Sequence, residues 1–287
     1  MSNVTPLSSI GRPAAKPIVI ALHCSGATGA QWRQLQLELG PRFTVIAPDL
    51  IGSGATPHWH GATEEFRMSD EAARIVRMID GAKRPIHLVG HSYGACVALR
   101  AAIERPSKIA SISLYEPAAF HLLKMDAHDG KAALADIASI AGRVKRLVSD
   151  GRHYDAAMAF LEYWNGAGTW DAMRPDLRAA FARYIRKAPL EFHAALGERI
   201  ALYAYRRLNV PTLLLQGELA PEPTRVIART LAKAMRRASL QTVYGAGHMG
   251  PFSHAHAVSA MMADWIFGYE PSTAAGEQLG RDMDQVA

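Results

Sequence analysis

The stretch Val89-Gly90-His91-Ser92-Tyr93-Gly94-Ala95 constrains the fold more than any other part of this 287-residue chain. An apolar run, Ile86-His87-Leu88-Val89, leads into Gly-x-Ser-x-Gly, and small residues at helical spacing follow at once: Ala95, Cys96, Ala98, Leu99 and Ala102. That order reads as strand, sharp turn and helix. Glycines two positions either side of Ser92 permit the tight bend, leaving the serine strained at the tip of the turn with its hydroxyl exposed above the sheet edge. A serine in a Gly/Ser-rich loop can do no more than cap the next helix. Held between a buried strand and a helix, it is a candidate nucleophile.

The same alternation extends along the chain. Ile18-Val19-Ile20-Ala21-Leu22 and Phe43-Thr44-Val45-Ile46-Ala47 are apolar runs of strand length, with a helix expected between them from Ala30 to Leu39. Ser69-Asp70-Glu71 starts a helix with an apolar stripe of Ala72, Ala73, Ile75, Val76 and Ile79, and Gly81 stops it. After the Ser92 helix come a strand over Ile109–Tyr115, another over Val210–Gln216, a helix opened by Pro223, and a last strand over Leu240–Tyr244. A final helix is expected from Ser253 to Phe267. Strands alternating with helices predict an α/β fold with a mostly parallel sheet covered by helices on both faces.

Between Ala118 and Arg207 the pattern is helical throughout, with breaks at Gly166-Ala167-Gly168, Arg174-Pro175 and Ala188-Pro189. Residues 1–117 and 208–268 therefore read as one core, 118–207 as an inserted α-helical cap, and 269–287 as a flexible tail. Residues 1–17 hold at most one short edge strand.

Two cysteines, Cys24 and Cys96, cannot build a disulfide framework and suit a reducing compartment. The first residues lack a secretory leader pattern and no apolar run approaches a membrane span, so a cytoplasmic location without membrane association is expected. A formal charge of +6 comes from arginines scattered through helical stretches, without an aromatic-interleaved basic patch, which argues against a nucleic-acid partner. Of twelve histidines, the His58/His60 and His254/His256 pairs have no matching cysteine or carboxylate cluster, so neither a metal nor another cofactor is expected. A homodimer is left open.

His23, Asp49, Ser92, Glu116, Glu218 or Glu222, and His248 each follow an apolar run, the place where parallel sheets hold their sites. With His23-Cys24-Ser25-Gly26, Asp49-Leu50-Ile51-Gly52-Ser53-Gly54, Gly90-His91-Ser92-Tyr93-Gly94 and Gly247-His248, the chain resembles the α/β-hydrolases over residues 18 to 268. In that family the chain order is nucleophile, acid, histidine, and the order holds here.

Chemistry gives each position a role. A serine hydroxyl needs a base, and imidazole titrates where it can accept and return the proton, so His248 in its glycine-flanked loop is paired with Ser92. The resemblance implies that the backbone N–H groups of Ser25 and Tyr93 receive the oxyanion. The family most often has Gly where this chain has Cys24. Cys24 and Cys96 read as packing residues.

The acid is less direct. Relatives of ordinary pattern carry Asp a few residues after the strand that ends here at Gln216, whereas this chain reads Gly217-Glu218-Leu219-Ala220-Pro221. Some α/β-hydrolases take the acid from the end of the strand after the nucleophile helix, and Glu116 stands there. A charge ending an apolar strand is costly unless paired, so Glu116 is the expected acid, with Glu222 and Glu218 as alternatives. Glu222 beside Pro223 also reads as helix N-terminal charge. Asp49 is expected to hold loops through backbone N–H groups. Trp164, Trp170, Phe181 and Tyr184 read first as the core of the helical insertion and second as pocket lining.

These expectations converge on a cofactor-independent serine hydrolase acting on a small-molecule ester, thioester or lactone. The alternatives are a carbon–carbon bond hydrolase of ring-cleavage products and a non-catalytic ligand-binding homologue. Serine at the turn argues against the dehalogenase and epoxide-hydrolase branches, which use aspartate there.

Overall fold

The computed structural model describes residues 16–270. Most of the stretch expected to hold an N-terminal edge strand, and residues 271–287 of the expected tail, lie outside the described residues. Six strands, β1 (Ile18–Leu22), β2 (Thr44–Ile46), β3 (Ile86–His91), β4 (Ile109–Tyr115), β5 (Thr212–Gly217) and β6 (Ala238–Val243), form one sheet in the order β2-β1-β3-β4-β5-β6. Every neighbouring pair is parallel. The chain thus winds outward from β1 in one direction, then crosses to β3 and proceeds in the other.

Helices α1 (Arg33–Leu39), α2 (Met68–Gly81) and α3 (Tyr93–Glu104) alternate with the first four strands. Six more, α4 (Gly130–Ser149), α5 (His153–Asn165), α6 (Thr169–Ala172), α7 (Pro175–Tyr184), α8 (Ala188–Gly197) and α9 (Leu202–Arg207), separate β4 from β5 in sequence. Helix α10 (Glu222–Ala234) joins β5 to β6, and α11 (Gly250–Ser253) with α12 (Ala255–Phe267) follows β6. The expected final helix is therefore split at His254, and the helix expected from Ala30 begins as a short 3-10 turn at Gly29–Trp32.

Period-2 alternation explains why the strands are apolar on both faces. In β1, Ile20 and Leu22 join a core with α2, α3, α10 and the inserted helices, while Val19 and Ala21 join a second core with α1 and α12. Two covered faces demand continuous apolar runs, and β3 is buried at every position. The small residues of α3 let it lie close to the sheet; Ala95, Ala98, Ala101 and Ala102 are fully buried.

Glu270, the last of the described residues, is tied back into the fold. Its carboxylate lies 2.6 Å from Arg84 Nη2 and 2.8 Å from His87 Nε2, tying the chain back to β3.

Candidate active site

Ser92 sits immediately after β3 with φ 52° and ψ −116°, in the left-handed region that non-glycine residues avoid. The flanking glycines are required by close approach. A Cβ on Gly94 would collide with the carbonyl groups of Leu22 and His23, and one on Gly90 would lie 2.5 Å from Ala95 Cα. The strain is over-determined by hydrogen bonds, since the Ser92 N–H donates to the Tyr115 carbonyl at 2.9 Å and the Ser92 carbonyl accepts from Ala118 at 3.0 Å. Contrary to the expected exposed hydroxyl, Ser92 is only 6 % accessible, because the inserted helices pass over the strand ends.

Glu116 immediately follows β4, also at positive φ, 42°. Its carboxylate is fully buried and fully engaged. Oε1 accepts from the Gly217 N–H at 2.9 Å, while Oε2 accepts from Thr224 Oγ1 at 2.9 Å and lies 2.7 Å from His248 Nδ1. The other ring nitrogen, Nε2, is 3.0 Å from Ser92 Oγ. Serine, imidazole and carboxylate therefore form one continuous chain from β3, the loop after β6, and β4.

The alternative acids are elsewhere. Glu222 is exposed and pairs with Arg229 at 2.7 Å, as a helix-terminal charge would. Glu218 accepts from the Gly245 N–H at 2.8 Å and so steadies the turn before His248 without touching the ring. Ala220, at the place where an aspartate was sought, is buried.

The His248 loop is held from below. Tyr115 donates to the Gly247 carbonyl at 2.7 Å, and a Cβ on Gly250 would collide with that tyrosine ring. His91 Nε2 lies 2.9 Å from the His248 carbonyl and His91 Nδ1 lies 3.1 Å from Gln31 Nε2. Burial, reinforced by the neighbouring His248, holds the His91 pKa well below the ordinary histidine value. A neutral ring with Nε2–H donating to the carbonyl and Nδ1 accepting from Gln31 satisfies both contacts.

Ser25, in the loop after β1, and Tyr93, the first residue of α3, bracket Ser92. Among the described residues, no hydrogen bond has either backbone N–H as its donor. Both residues line the cavity over Ser92. Asp49 acts as expected, its carboxylate accepting from the Gly29 and Ala55 N–H groups at 2.9 and 3.3 Å. Cys24 and Cys96 are free, buried thiols, and burial pushes both pKa values up, away from nucleophilic use.

Two adjoining cavities share Ser25, Ser92, Phe160 and Trp164. Phe120, Phe192 and Glu191 complete the first; His248, Phe181 and Met249 help to line the second. The Trp164 ring stacks on His248 with 4.4 Å between centroids. Reading the four aromatics as insertion core holds for Trp170, which packs against Tyr154 away from the site. Trp164 and Phe181 belong to that core and also line the cavities at Ser92 and His248, because a helix crossing the strand ends has its inward face over the cavities as well as over the core.

Sequence reasoning missed a buried charged cluster beside these cavities, formed by Glu71, Lys187 and Glu191, each no more than 4 % accessible. The available signal was Lys187 and Glu191 at i, i+4, flanking the apolar Ala188-Pro189-Leu190. The described residues contain no group of three or more His, Cys, Asp or Glu that could hold a metal ion. Nor does any helix among them have the length and apolarity to cross a membrane.

A parallel sheet with a strained serine after its third strand and a histidine after its last defines a hydrolase architecture. The chain belongs to the alpha/beta hydrolase family, whose model matches residues 19–261. It is 34 % identical over 106 residues to lipase LipV of Mycobacterium tuberculosis, a match covering 37 % of this chain and only 39 % of that lipase's length. A longer match, 27 % identical over 264 residues, covers 91 % of the chain and 80 % of a pimeloyl-[acyl-carrier protein] methyl ester esterase from Neisseria meningitidis. Among solved structures, MGS-M2, an alpha/beta hydrolase from a Medee basin deep-sea metagenome library, superposes with a TM-score of 0.74 at 14 % identity, over 92 % of this chain and 93 % of that one. At that identity the likeness is one of fold.

Proposed function

We propose that this protein is a cofactor-independent serine hydrolase that cleaves a carboxylic ester, thioester or lactone through an acyl-enzyme on Ser92. The observation carrying this reading is the hydrogen-bonded chain from Ser92 Oγ through His248 to Glu116. In the first half-reaction Ser92 Oγ attacks the acyl carbon while His248 Nε2 takes the hydroxyl proton. Glu116 holds the ring with Nε2 facing the serine and stabilises the imidazolium. The tetrahedral oxyanion is received by the N–H groups of Ser25 and Tyr93, and collapse expels the alcohol or thiol with the proton returned from His248. Water then repeats the sequence in reverse, giving the free acid and serine.

The aromatic walls of the two cavities and the burial of Ser92 beneath the inserted helices favour a small or medium acyl group over a polymer. The test is hydrolysis of short p-nitrophenyl esters by the wild type and by Ser92→Ala. Turnover that disappears in the variant supports the reading. Ligand-induced thermal stabilisation without any turnover would instead favour a binding protein. Activity confined to ring-cleavage diketones would favour carbon–carbon hydrolysis.

A further inference from the structure

We propose that the buried Lys187 ammonium, held between Glu71 and Glu191, positions the oxyanion-binding groups by fixing the side chains of the two residues that carry them, Tyr93 and Ser25. This role rests on the hydrolase reading above and adds three positioning residues to it.

The connections form one circuit. Ser25 Oγ donates to Glu191 Oε2 at 2.5 Å, and the Tyr184 hydroxyl donates to the same oxygen at 2.5 Å. Lys187 Nζ lies 3.0 Å from Glu191 Oε1 and 3.7 Å from Glu71 Oε2. The circuit closes where Tyr93 donates its hydroxyl to Glu71 Oε2 at 3.2 Å. Glu71 Oε1 accepts from the Ile51 N–H at 2.7 Å, anchoring the cluster to the loop after β2.

Stability alone does not account for such a cluster. Desolvating buried charges is costly, and well-packed apolar residues in their place commonly do as well or better. Burial opposes the Lys187 charge, but Glu191 and Glu71 outweigh it and its pKa is raised, so the ammonium persists. Burial likewise raises the Glu71 pKa, against the pull of Lys187.

Geometry supplies a reason for keeping the charges. The Ser25 and Tyr93 amides sit on separate elements, the loop after β1 and the start of α3, and must converge on one oxygen. Ser25 is followed by Gly26 at φ 76°, a backbone with no side-chain restraint of its own. Glu191 and Lys187 come from the inserted helical segment and Glu71 from α2, so the circuit joins insertion to core at the oxyanion site.

Misplacing a donor weakens binding of the tetrahedral state more than binding of the substrate, so the effect belongs on kcat. Ser25→Ala and Tyr93→Phe keep both backbone amides and remove only the tethers. Each is expected to lower kcat on p-nitrophenyl acetate roughly tenfold with KM within about twofold, less than the 10²–10³ lost when a donor is removed outright. Affinity for a trifluoromethyl ketone, whose hemiketal with Ser92 mimics the oxyanion, should fall in proportion.

Lys187→Met should lose about as much as Ser25→Ala. The double variant should lose no more than the worse single, because both break one linkage, and Lys187→Arg should recover part of the loss. The positioning role is overturned if Ser25→Ala and Tyr93→Phe stay within twofold of wild-type kcat, if Ser25→Ala and Lys187→Met losses multiply, or if the losses fall on KM alone. Should Lys187→Met not fold, the two tether variants still decide. A wild type that turns over no ester overturns the hydrolase reading and this role together; an active wild type with indifferent tether variants overturns this role alone.

Discussion

The Glu116 carboxylate lies 2.7 Å from the His248 ring across 132 residues of sequence, and it arrives from the end of β4 with Ala220 buried in the loop after β5. The neighbouring strand nevertheless contributes, since the Gly217 N–H of β5 and Thr224 of α10 hold the carboxylate in place. Glu116 thus reaches the imidazole from β4 while groups of β5 and α10 hold its carboxylate.

Glu116→Gln should lower kcat on a short p-nitrophenyl ester by about 10⁴, through loss of the correct imidazole tautomer and of the charge that stabilises the imidazolium. The amide can still meet Gly217, so thermal unfolding should remain cooperative. Glu222→Gln, altering an exposed pair with Arg229, should leave kcat unchanged. Equal losses in the two variants would exclude Glu116 as the acid.

Gly94→Ala places a Cβ against the carbonyls of Leu22 and His23, backbone atoms of β1 and its loop that cannot rotate away. Overpacking of this kind should cost about 1–3 kcal/mol of stability. A urea midpoint equal to wild type would show that the turn has more room than its contacts indicate.

Trp164 stacks on His248 and lines both cavities. Trp164→Leu should raise the ratio of kcat/KM for p-nitrophenyl hexanoate over acetate by about tenfold or more, within the range a few methylenes contribute in an apolar pocket. An unchanged ratio would place the acyl chain elsewhere.

Stability should fall as the medium turns acidic. Burial lowers the pKa values of His23 and His91, and it lowers that of His121 to about 4. Below the unfolded histidine value of about 6.5 the unfolded chain binds protons that the folded one refuses, so ΔG of unfolding falls with pH. For His121 the loss runs from about 6.5 down to its folded value of about 4. Each such histidine contributes a slope of up to about 1.4 kcal/mol per pH unit. Urea midpoints measured from pH 7 to pH 5 should decline, and a flat profile would contradict neutral burial of these rings.

Sequence patterns carried much of this description. The apolar runs of β1, β3, β4 and β5 are legible because a sheet covered on both faces admits few polar residues. Ser92 and His248 were legible because glycines bracket them where a chain must turn sharply. Glu116 was legible as an unexplained charge at the end of an apolar strand. Trp164 and Phe181 were not separable from Trp170, since helical spacing records that a face is buried but not what it is buried against. Glu71 read as part of an ordinary helix start, and no local pattern tied Lys187 or Glu191 to it.

The chain by itself thus determined the order of strands and helices, the strained serine turn and the short set of groups able to do acyl chemistry, because these are written in local periodicity, turn residues and composition. Only the tertiary structure decided which carboxylate meets His248, which aromatics face Ser92 and that Glu71, Lys187 and Glu191 join beside the cavity over Ser92. Those relationships span 132 residues between Glu116 and His248 and 166 between Ser25 and Glu191, and contacts of that separation exist only once strand order and the seating of the inserted helices have brought distant segments together.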